Sequence, residues 1–327
     1  MTMKKGLPML YRTFTAIILL FFQAVAAQDY SDVDSIVMRY PSGFSSTQKL
    51  ADKINDDFSG EAEKARAIYT WIALNIRYDL AAMRNGDQVA FRYRGEADRM
   101  EKEKAFRISL AQKTIRSNKG ICQNYAALFH NLCDMTGLKC LDIPGAAKTN
   151  LTQIGKLPQK NDHVWNAVNI GDSWNLVDVT WGAGSVDANT GKFKPNFNDG
   201  FFCTPPTLFF LNHFPEDARL SMLDKTPEDF AELPLYYGEY VDSDYEILSP
   251  EKGLLPTKTK TVPFRISDLS ENDNISYTFS NQNRIIAPQL KRNGNVSEFE
   301  VNIGAADRGF LTLFVNNRSV AAYKIGN

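Results

Sequence analysis

Cys122, His163 and Asp178 each stand in a stretch of sequence suited to one part of thiol-dependent acyl transfer. The stretches are Lys119-Gly120-Ile121-Cys122-Gln123-Asn124-Tyr125-Ala126, Asp162-His163-Val164-Trp165-Asn166 and Trp174-Asn175-Leu176-Val177-Asp178-Val179-Thr180-Trp181-Gly182. A sulfur nucleophile needs a base, and the base needs an orienting group, usually brought together by the fold rather than by adjacency in the chain. A free cysteine titrates near roughly 8.5, so few thiols ionise at neutral pH unless the site helps. Asn118-Lys119-Gly120 breaks one helical stretch, after which Tyr125, Leu128, Phe129, Leu132 and Cys133 recur at helical spacing until Gly137. Cys122 therefore opens a helix, where unpaired N–H groups and the positive end of the helix dipole favour a thiolate and can hold an oxyanion. A small core residue at a packed turn would have the same surroundings. With three histidines in the chain, His163 is the candidate base titrating near neutrality. Asp178 can accept from one of its ring nitrogens and fix the tautomer, or serve more simply as a turn or N-cap carboxylate.

The elements that must position these residues can be read from spacing. Short strands are expected at Lys139 to Ile143, His163 to Ile170 and Trp174 to Val179. On a strand starting at His163, the side chains of His163, Trp165 and Ala167 share one face. If Gly171-Asp172 is a two-residue turn, Ile170 pairs with Ser173, Trp165 falls opposite Asp178 and His163 opposite Thr180. His163 and Asp178 are then diagonal neighbours on one face, roughly 7 to 8 Å apart at the backbone. A loop one residue longer would throw Asp178 to the other face.

Glu61 to Arg77 places Ala65, Ile68, Tyr69, Ile72 and Ile76 on one face of an amphipathic helix, with Trp71 as a packing residue. A shorter helical pattern precedes it at Gln48 to Ile54. Ala81 to Lys104 is charge-rich, broken by Gly86 and Gly95, and reads as a surface excursion at the rim of a cleft. Ala105 to Ser117 reads as a helix, and Asn150 to Lys160 has the composition of a mobile loop. Trp165 and Trp181 are candidates to wall the site, whereas Trp174 reads as core. Gln112, Gln123 and Tyr78 carry side chains able to donate to an oxyanion, and the sequence does not choose among them. His130 and His213 read as packed or solvated histidines. Beyond Pro250, runs such as Ser276-Tyr277-Thr278-Phe279 and Leu311-Thr312-Leu313-Phe314-Val315 alternate with Asn/Gly turns, which predicts a small all-β, Ig-like sandwich.

In order, the three motifs resemble the G-x-C-x-x-Y-A, H-x-W and W-x-x-x-D-x-T pattern of the transglutaminase-like superfamily of papain-like cysteine enzymes. The resemblance spans about Glu61 to Tyr237 and takes in Asn75-Ile76-Arg77-Tyr78-Asp79. Leu208-Phe209-Phe210-Leu211-Asn212-His213-Phe214-Pro215-Glu216-Asp217 is similar to a segment that follows the catalytic core in the kyphoscoliosis-peptidase branch. The resemblance implies an α+β core of helices packed on an antiparallel sheet. It also implies Cys122 as nucleophile, His163 as general base and acid, and Asp178 as orienter, acting on peptide or glutamine-type amides through a thioester.

The chain has 327 residues, 43% hydrophobic and 23% charged, which suits a globular catalytic domain with a smaller companion. The expected division is a signal peptide at 1–27, the transglutaminase-like catalytic domain at 28–249 and the β domain at 250–327. Lys4, Lys5 and Arg12 precede an apolar run from Phe14 to Phe22 and then Ala24-Val25-Ala26-Ala27. That order is the signature of a secretory signal, and the run is short of the roughly 20 residues a spanning helix needs. A secreted or periplasmic location is expected, with no stable membrane insertion after cleavage. The net charge of -1, without like-charge blocks, gives no basic stripe for nucleic acid. Of the cysteines Cys122, Cys133, Cys140 and Cys203, the last three allow at most one bridge if Cys122 stays free, or all can be buried hydrophobes. C-x-x-C, H-E-x-x-H and P-loop patterns do not occur, so no cofactor or metal is implied. The expected function is a peptidase. The alternatives are a crosslinking transglutaminase and a non-catalytic peptide- or glycan-binding protein on the same fold. The sequence leaves the oligomeric state open.

Overall fold

The apolar stripe of Glu61 to Arg77 is the spine of the first half of the chain. The computed structural model describes residues 29–86, 92, 94–187, 190–256, 261–282, 284–304 and 306–326; the expected signal segment at 1–27 lies outside them. Helix α1 (Thr47–Asp57) leads to α2 (Glu61–Asn75), on whose stripe Ala65, Ile68, Tyr69, Ile72 and Ile76 are all buried. Trp71 is buried as well, its indole N–H donating to Pro41 O at 3.0 Å. Helix α3 (Glu96–Ser117) starts well before Ala105. Its charged first turns are spaced for a helix rather than a loop: Asp98 pairs with Lys102 at 3.0 Å and Arg99 with Glu103 at 4.0 Å, each four residues on. The expected rim is therefore partly helical, from Leu80–Asn85 and again from Glu96; residues 87–91 and 93 lie outside the description. Helix α4 (Cys122–Thr136) ends at Gly137 and packs on α1, α2 and α3.

Behind α4 stands a four-stranded antiparallel sheet of β1 (Cys140–Ala147), β2 (His163–Ile170), β3 (Ser173–Val177) and β4 (His213–Pro215). Their order is β3-β2-β1-β4. Gly171 and Asp172 both have positive φ, 56° and 62°, as a tight two-residue hairpin turn demands. The turn sets Ile170 against Ser173, and pairing runs up to Asn166 opposite Val177. There it stops, two residues before the expected end at Val179. Asp178 instead caps the short helix α5 (Val179–Gly182): its Oδ1 accepts from Thr180 N at 2.9 Å and Trp181 N at 3.1 Å. The expected ladder pairs Trp165 with Asp178 and His163 with Thr180 do not form.

The segment from Asn150 to Lys160 is anchored rather than loose. Ile154 is fully buried with Leu235 and Ala322, and Gly155 N donates to Ala231 O at 2.9 Å. The C-terminal part is a sandwich of two sheets. One has the order Glu246–Ser249, Thr261–Ser267, Val296–Asn302, Lys291–Asn293. The other runs Leu254–Leu255, Arg318–Ile325, Gly309–Val315, Ile275–Phe279, Ile285–Ile286. Phe264, Val301, Leu311, Leu313 and Tyr323 fill the space between them, together with Tyr236, Tyr240 and Ile247 from ahead of residue 250.

Two polar side chains tie the four-stranded sheet to this sandwich and to the segment leading into it. Lys148, just past β1, is buried and donates from Nζ to Phe230 O at 2.6 Å and Leu233 O at 2.8 Å. Asn212, just ahead of β4, donates to Lys148 O at 3.1 Å and Tyr236 O at 2.9 Å. Tyr236 in turn belongs to a strand paired with Arg318–Ile325. All four cysteines are free; the Cys140 thiol donates to Leu141 O at 3.8 Å and lies close enough to Cys133 for each to act on the other. Among the described residues no helix is long and apolar enough to cross a membrane.

Candidate active site

Cys122 is the first residue of α4. The helix start is fixed by Asn124, whose Oδ1 accepts from Ile121 N at 3.1 Å and whose Nδ2 donates to Thr114 Oγ1 on α3 at 3.0 Å. One turn inside, the buried Tyr125 hydroxyl donates to Ile76 O at 2.6 Å. A short parallel pairing of Arg77–Tyr78 with Lys119–Gly120 brings Tyr78 beside the approach to Cys122. Cys122 thus sits where N–H groups of a first helical turn converge, walled by α2 and α3.

His163 opens β2 opposite Gly145 of β1. Its Nε2 lies 2.6 Å from Asp178 Oδ2, and Cys122 lies close enough for its sulfur to act on the same ring. With Nε2 engaged by the carboxylate, Nδ1 is the ring nitrogen left for Cys122. Burial opposes charge on this imidazole, yet the Asp178 carboxylate and the Cys122 sulfur outweigh it, and the pKa is drawn up to about 10. Burial likewise opposes the Asp178 anion. His163 and His213 overcome this and hold the carboxyl well below the usual carboxylate range. Asp178, 1% exposed, is an anion whose Oδ1 takes two backbone N–H groups and whose Oδ2 takes two imidazoles. The hairpin register delivers Asp178 to the edge of the ladder, and the N-cap turns its carboxylate back over the sheet.

The structure therefore brings Cys122, His163 and Asp178 together. Trp165 and Trp181 flank His163, their ring centroids 6.0 and 5.8 Å from it. Trp174 is not core: it is 40% exposed on the outer strand, two residues after the turn. Among the oxyanion candidates, Gln112 is remote, its amide donating to Thr47 Oγ1 on α1 at 2.6 Å. Tyr78 is close enough to Cys122 and Asp178 for their charges to act on its phenol, and burial raises its pKa, so it carries its proton at neutral pH. His130 Nδ1 lies 2.9 Å from Asp142 Oδ1, which pins α4 to β1.

His213 departs most from the sequence reading. It is neither solvated nor merely packed: its Nε2 lies 2.9 Å from Asp178 Oδ2. Spacing could not reveal this, because His213 comes from a strand added on the far edge of the sheet. The apolar residues around it, Phe209, Phe210, Leu211 and Phe214, foretell burial but not a polar partner. His163, Asp178 and His213 together offer three ligand atoms within 4.8 Å of one another. Their N···O separations of 2.6 and 2.9 Å are hydrogen-bond lengths, and the arrangement accounts for every acceptor direction of the carboxylate.

Residues 48–179 match the family model of the transglutaminase-like superfamily. The kyphoscoliosis peptidase of Homo sapiens is 31% identical over 217 residues, a match covering 65% of this chain and 30% of that protein. The Lim and transglutaminase domain protein ltd-1 of Caenorhabditis elegans is 24% identical over 328 residues, covering 91% of this chain and 42% of that one. The chain thus spans well under half the length of these curated relatives. A solved TGase structure is similar with a TM-score of 0.28 and 16% identity, covering 49% of this chain and 35% of that one. Residues 48–179 thus form a transglutaminase-like domain, and the match to kyphoscoliosis peptidase supports that branch of the superfamily.

Proposed function

We propose that this protein is an exported cysteine-dependent acyl-transfer enzyme that cleaves peptide or glutamine-type amides. Cys122 is the nucleophile, His163 the general base and acid, and Asp178 the group that orients His163. The observation that carries this reading is the His163 imidazole set between Cys122, whose sulfur acts on the ring, and the buried Asp178 anion, whose Oδ2 lies 2.6 Å from its Nε2. A buried imidazole between a thiol and a carboxylate favours the thiolate–imidazolium pair, the reactive form of a cysteine nucleophile.

In this mechanism the Cys122 proton passes to His163 Nδ1, and the sulfur attacks the amide carbonyl carbon, moving its π electrons onto oxygen. The first-turn N–H groups of α4 and the protonated Tyr78 hydroxyl stand ready to stabilise that oxyanion. The imidazolium gives its proton to the departing nitrogen, the C–N bond breaks, and a thioester remains on Cys122. Water then attacks the thioester, His163 takes its proton, and the acid leaves as the thiol reforms. Asp178 keeps its charge throughout, holding the tautomer and balancing the imidazolium. Hydrolysis is favoured over transfer to an amine because water is always present as acceptor and the related human protein is named a peptidase. The sequence of residues 1–27, with its charged, apolar and small-residue blocks, supports export.

Mass spectrometry of the intact protein exposed to peptide libraries, with and without an added primary amine, tests the proposal. An acyl adduct on Cys122 that decays to free acid is the expected result. Decay to an amide would make the enzyme a crosslinking transferase. An adduct that persists in Cys122→Ala, or its absence from the wild-type protein across the library, would remove the proposal.

A further inference from the structure

His213 lies on β4 opposite Ala147 of β1, while His163 lies on β2 opposite Gly145. Residues paired across an antiparallel ladder point the same way, as do residues two apart on one strand. The two histidines therefore project from the same face of the sheet on either side of β1. Gly145 lets the Trp165 ring and the β4 backbone close in between them: a Cβ there would lie 2.4 Å from the end of the Trp165 ring and 2.4 Å from Phe214 O. The imidazole centroids stand 5.5 Å apart, and both Nε2 atoms reach the same oxygen, Asp178 Oδ2, at 2.6 and 2.9 Å.

The rest of the His213 surroundings is aromatic. Phe209 stacks on the ring at 4.0 Å, Trp181 lies at 4.6 Å, Trp165 at 5.0 Å and Phe201 at 6.4 Å. Among the described residues the titratable groups shown acting on it are Asp178 and His163. Nδ1 lies 3.2 Å from Phe209 O, a second pure acceptor. Only an imidazolium could donate to both, and burial opposes that charge, as does the neighbouring His163. The neutral ring has one N–H, and it belongs on the nitrogen with the shorter contact to an anion. His213 is then a neutral Nε2–H donor whose orientation is set by four rings and by its strand.

We infer that His213 is a positioning residue for the reaction, resting on the reading of Cys122, His163 and Asp178 as its reactive groups: its Nε2–H holds Asp178 Oδ2 in place for His163. A carboxylate oxygen has two acceptor directions, so the two imidazoles share Oδ2 without competing for one lone pair. Removing His213 empties one direction in a site where Asp178 is 1% exposed. The carboxylate is then free to turn about the axis still held by Thr180 N and Trp181 N. His163 loses its fixed partner, and the thiolate–imidazolium pair forms less readily.

The test compares wild type, His213→Phe and His213→Gln by the rate of Cys122 alkylation with iodoacetamide across pH, with His163→Ala as reference. His213→Phe keeps a ring on Phe209 but no donor, whereas His213→Gln offers an amide N–H at similar reach. The expected result for Phe is a loss of about tenfold at mildly acidic pH, the size of one hydrogen bond to a charged group. Its labelling midpoint should move to higher pH, and Gln should recover most of both changes. A midpoint that stays or moves down in folded His213→Phe, or a Gln variant as impaired as Phe, would overturn the positioning role. Wild-type labelling that is indifferent to His163→Ala would overturn the reactive set itself, whatever His213 does. A measurement on the unaltered protein covers the case of variants that do not fold: nitrogen-correlated proton NMR should find a protected N–H on His213 Nε2 at neutral pH. An unprotonated Nε2 there would refute the inference directly.

Discussion

Replacing Asp178 with Asn tests the electrostatics of the site while sparing its scaffold. Asn is as good an N-cap as Asp, so its Oδ1 can keep the N–H groups of Thr180 and Trp181 and the α5 turn should persist. Its Nδ2 then meets the two imidazole N–H groups that Asp178 Oδ2 accepts, donor against donor. His163 must turn over its tautomer, presenting Nδ1–H to Cys122 where a proton acceptor is needed. The charge is lost as well. A pKa of about 10 in place of the ordinary 6.5 is about 5 kcal/mol of preference for the imidazolium, at 1.36 kcal/mol per pH unit. Asp178 is its largest favourable source, ahead of Cys122. If Asp178 supplies at least half, its removal weakens the preference by about 2.5 to 5 kcal/mol, roughly a hundredfold to a few thousandfold. Cys122 alkylation and peptide turnover at pH 6 should fall by that factor, with the circular dichroism spectrum unchanged. Labelling within a few-fold of wild type in a folded Asp178→Asn protein would refute the reasoning.

Lys148→Met should change the pH dependence of stability: burial draws the Lys148 pKa from 10.5 down to about 7. The unfolded chain then binds more protons between those values, so wild-type stability rises with pH across pH 7 to 10.5, by about 4 kcal/mol in all. The variant should lack that increment, and parallel slopes in denaturant titrations at pH 7 and 10 would contradict it. Tyr78→Phe should lower turnover about tenfold to a hundredfold with little change in Cys122 alkylation, which forms no oxyanion; equal turnover would exclude the phenol as a donor. Mild oxidation should join Cys133 to Cys140, which lie close enough to act on one another, and leave Cys203 alone; peptide mapping that finds Cys203 in the bridge would contradict this.

Features set by local periodicity or turn geometry could be read from the sequence. The stripe on α2, the opening of α4 at Cys122 and the even loop at Gly171-Asp172 all depend on residues within a few positions of one another. So does the register that carries Asp178 toward His163. What could not be read depends on competition or on distant chain. Asp178 leaves the ladder because its own side chain satisfies two N–H groups of the following turn, a local alternative that outcompetes one more strand pair. The charged run before Ala105 looks like a loop by composition and is helical through i,i+4 pairing. His213 escapes detection because β4 joins the sheet across β1, far from His163 in sequence. The Asn150 to Lys160 segment looks mobile until Ile154 meets Leu235 and Ala322 of the sandwich region.

The central claim is that Cys122 is the nucleophile, activated by His163. The most direct measurement is the pH dependence of iodoacetamide labelling at each cysteine of the folded protein, mapped by mass spectrometry in wild type and in His163→Ala. Burial pushes the Cys203 thiol up to about 12, and burial with the Cys133 contact raises that of Cys140 far above its ordinary value. Neither should react below neutrality. Cys122 should label first and at mildly acidic pH, and should lose that advantage when His163 is removed. Labelling of Cys122 no faster than Cys133, Cys140 and Cys203, or unaffected by His163→Ala, would contradict the claim.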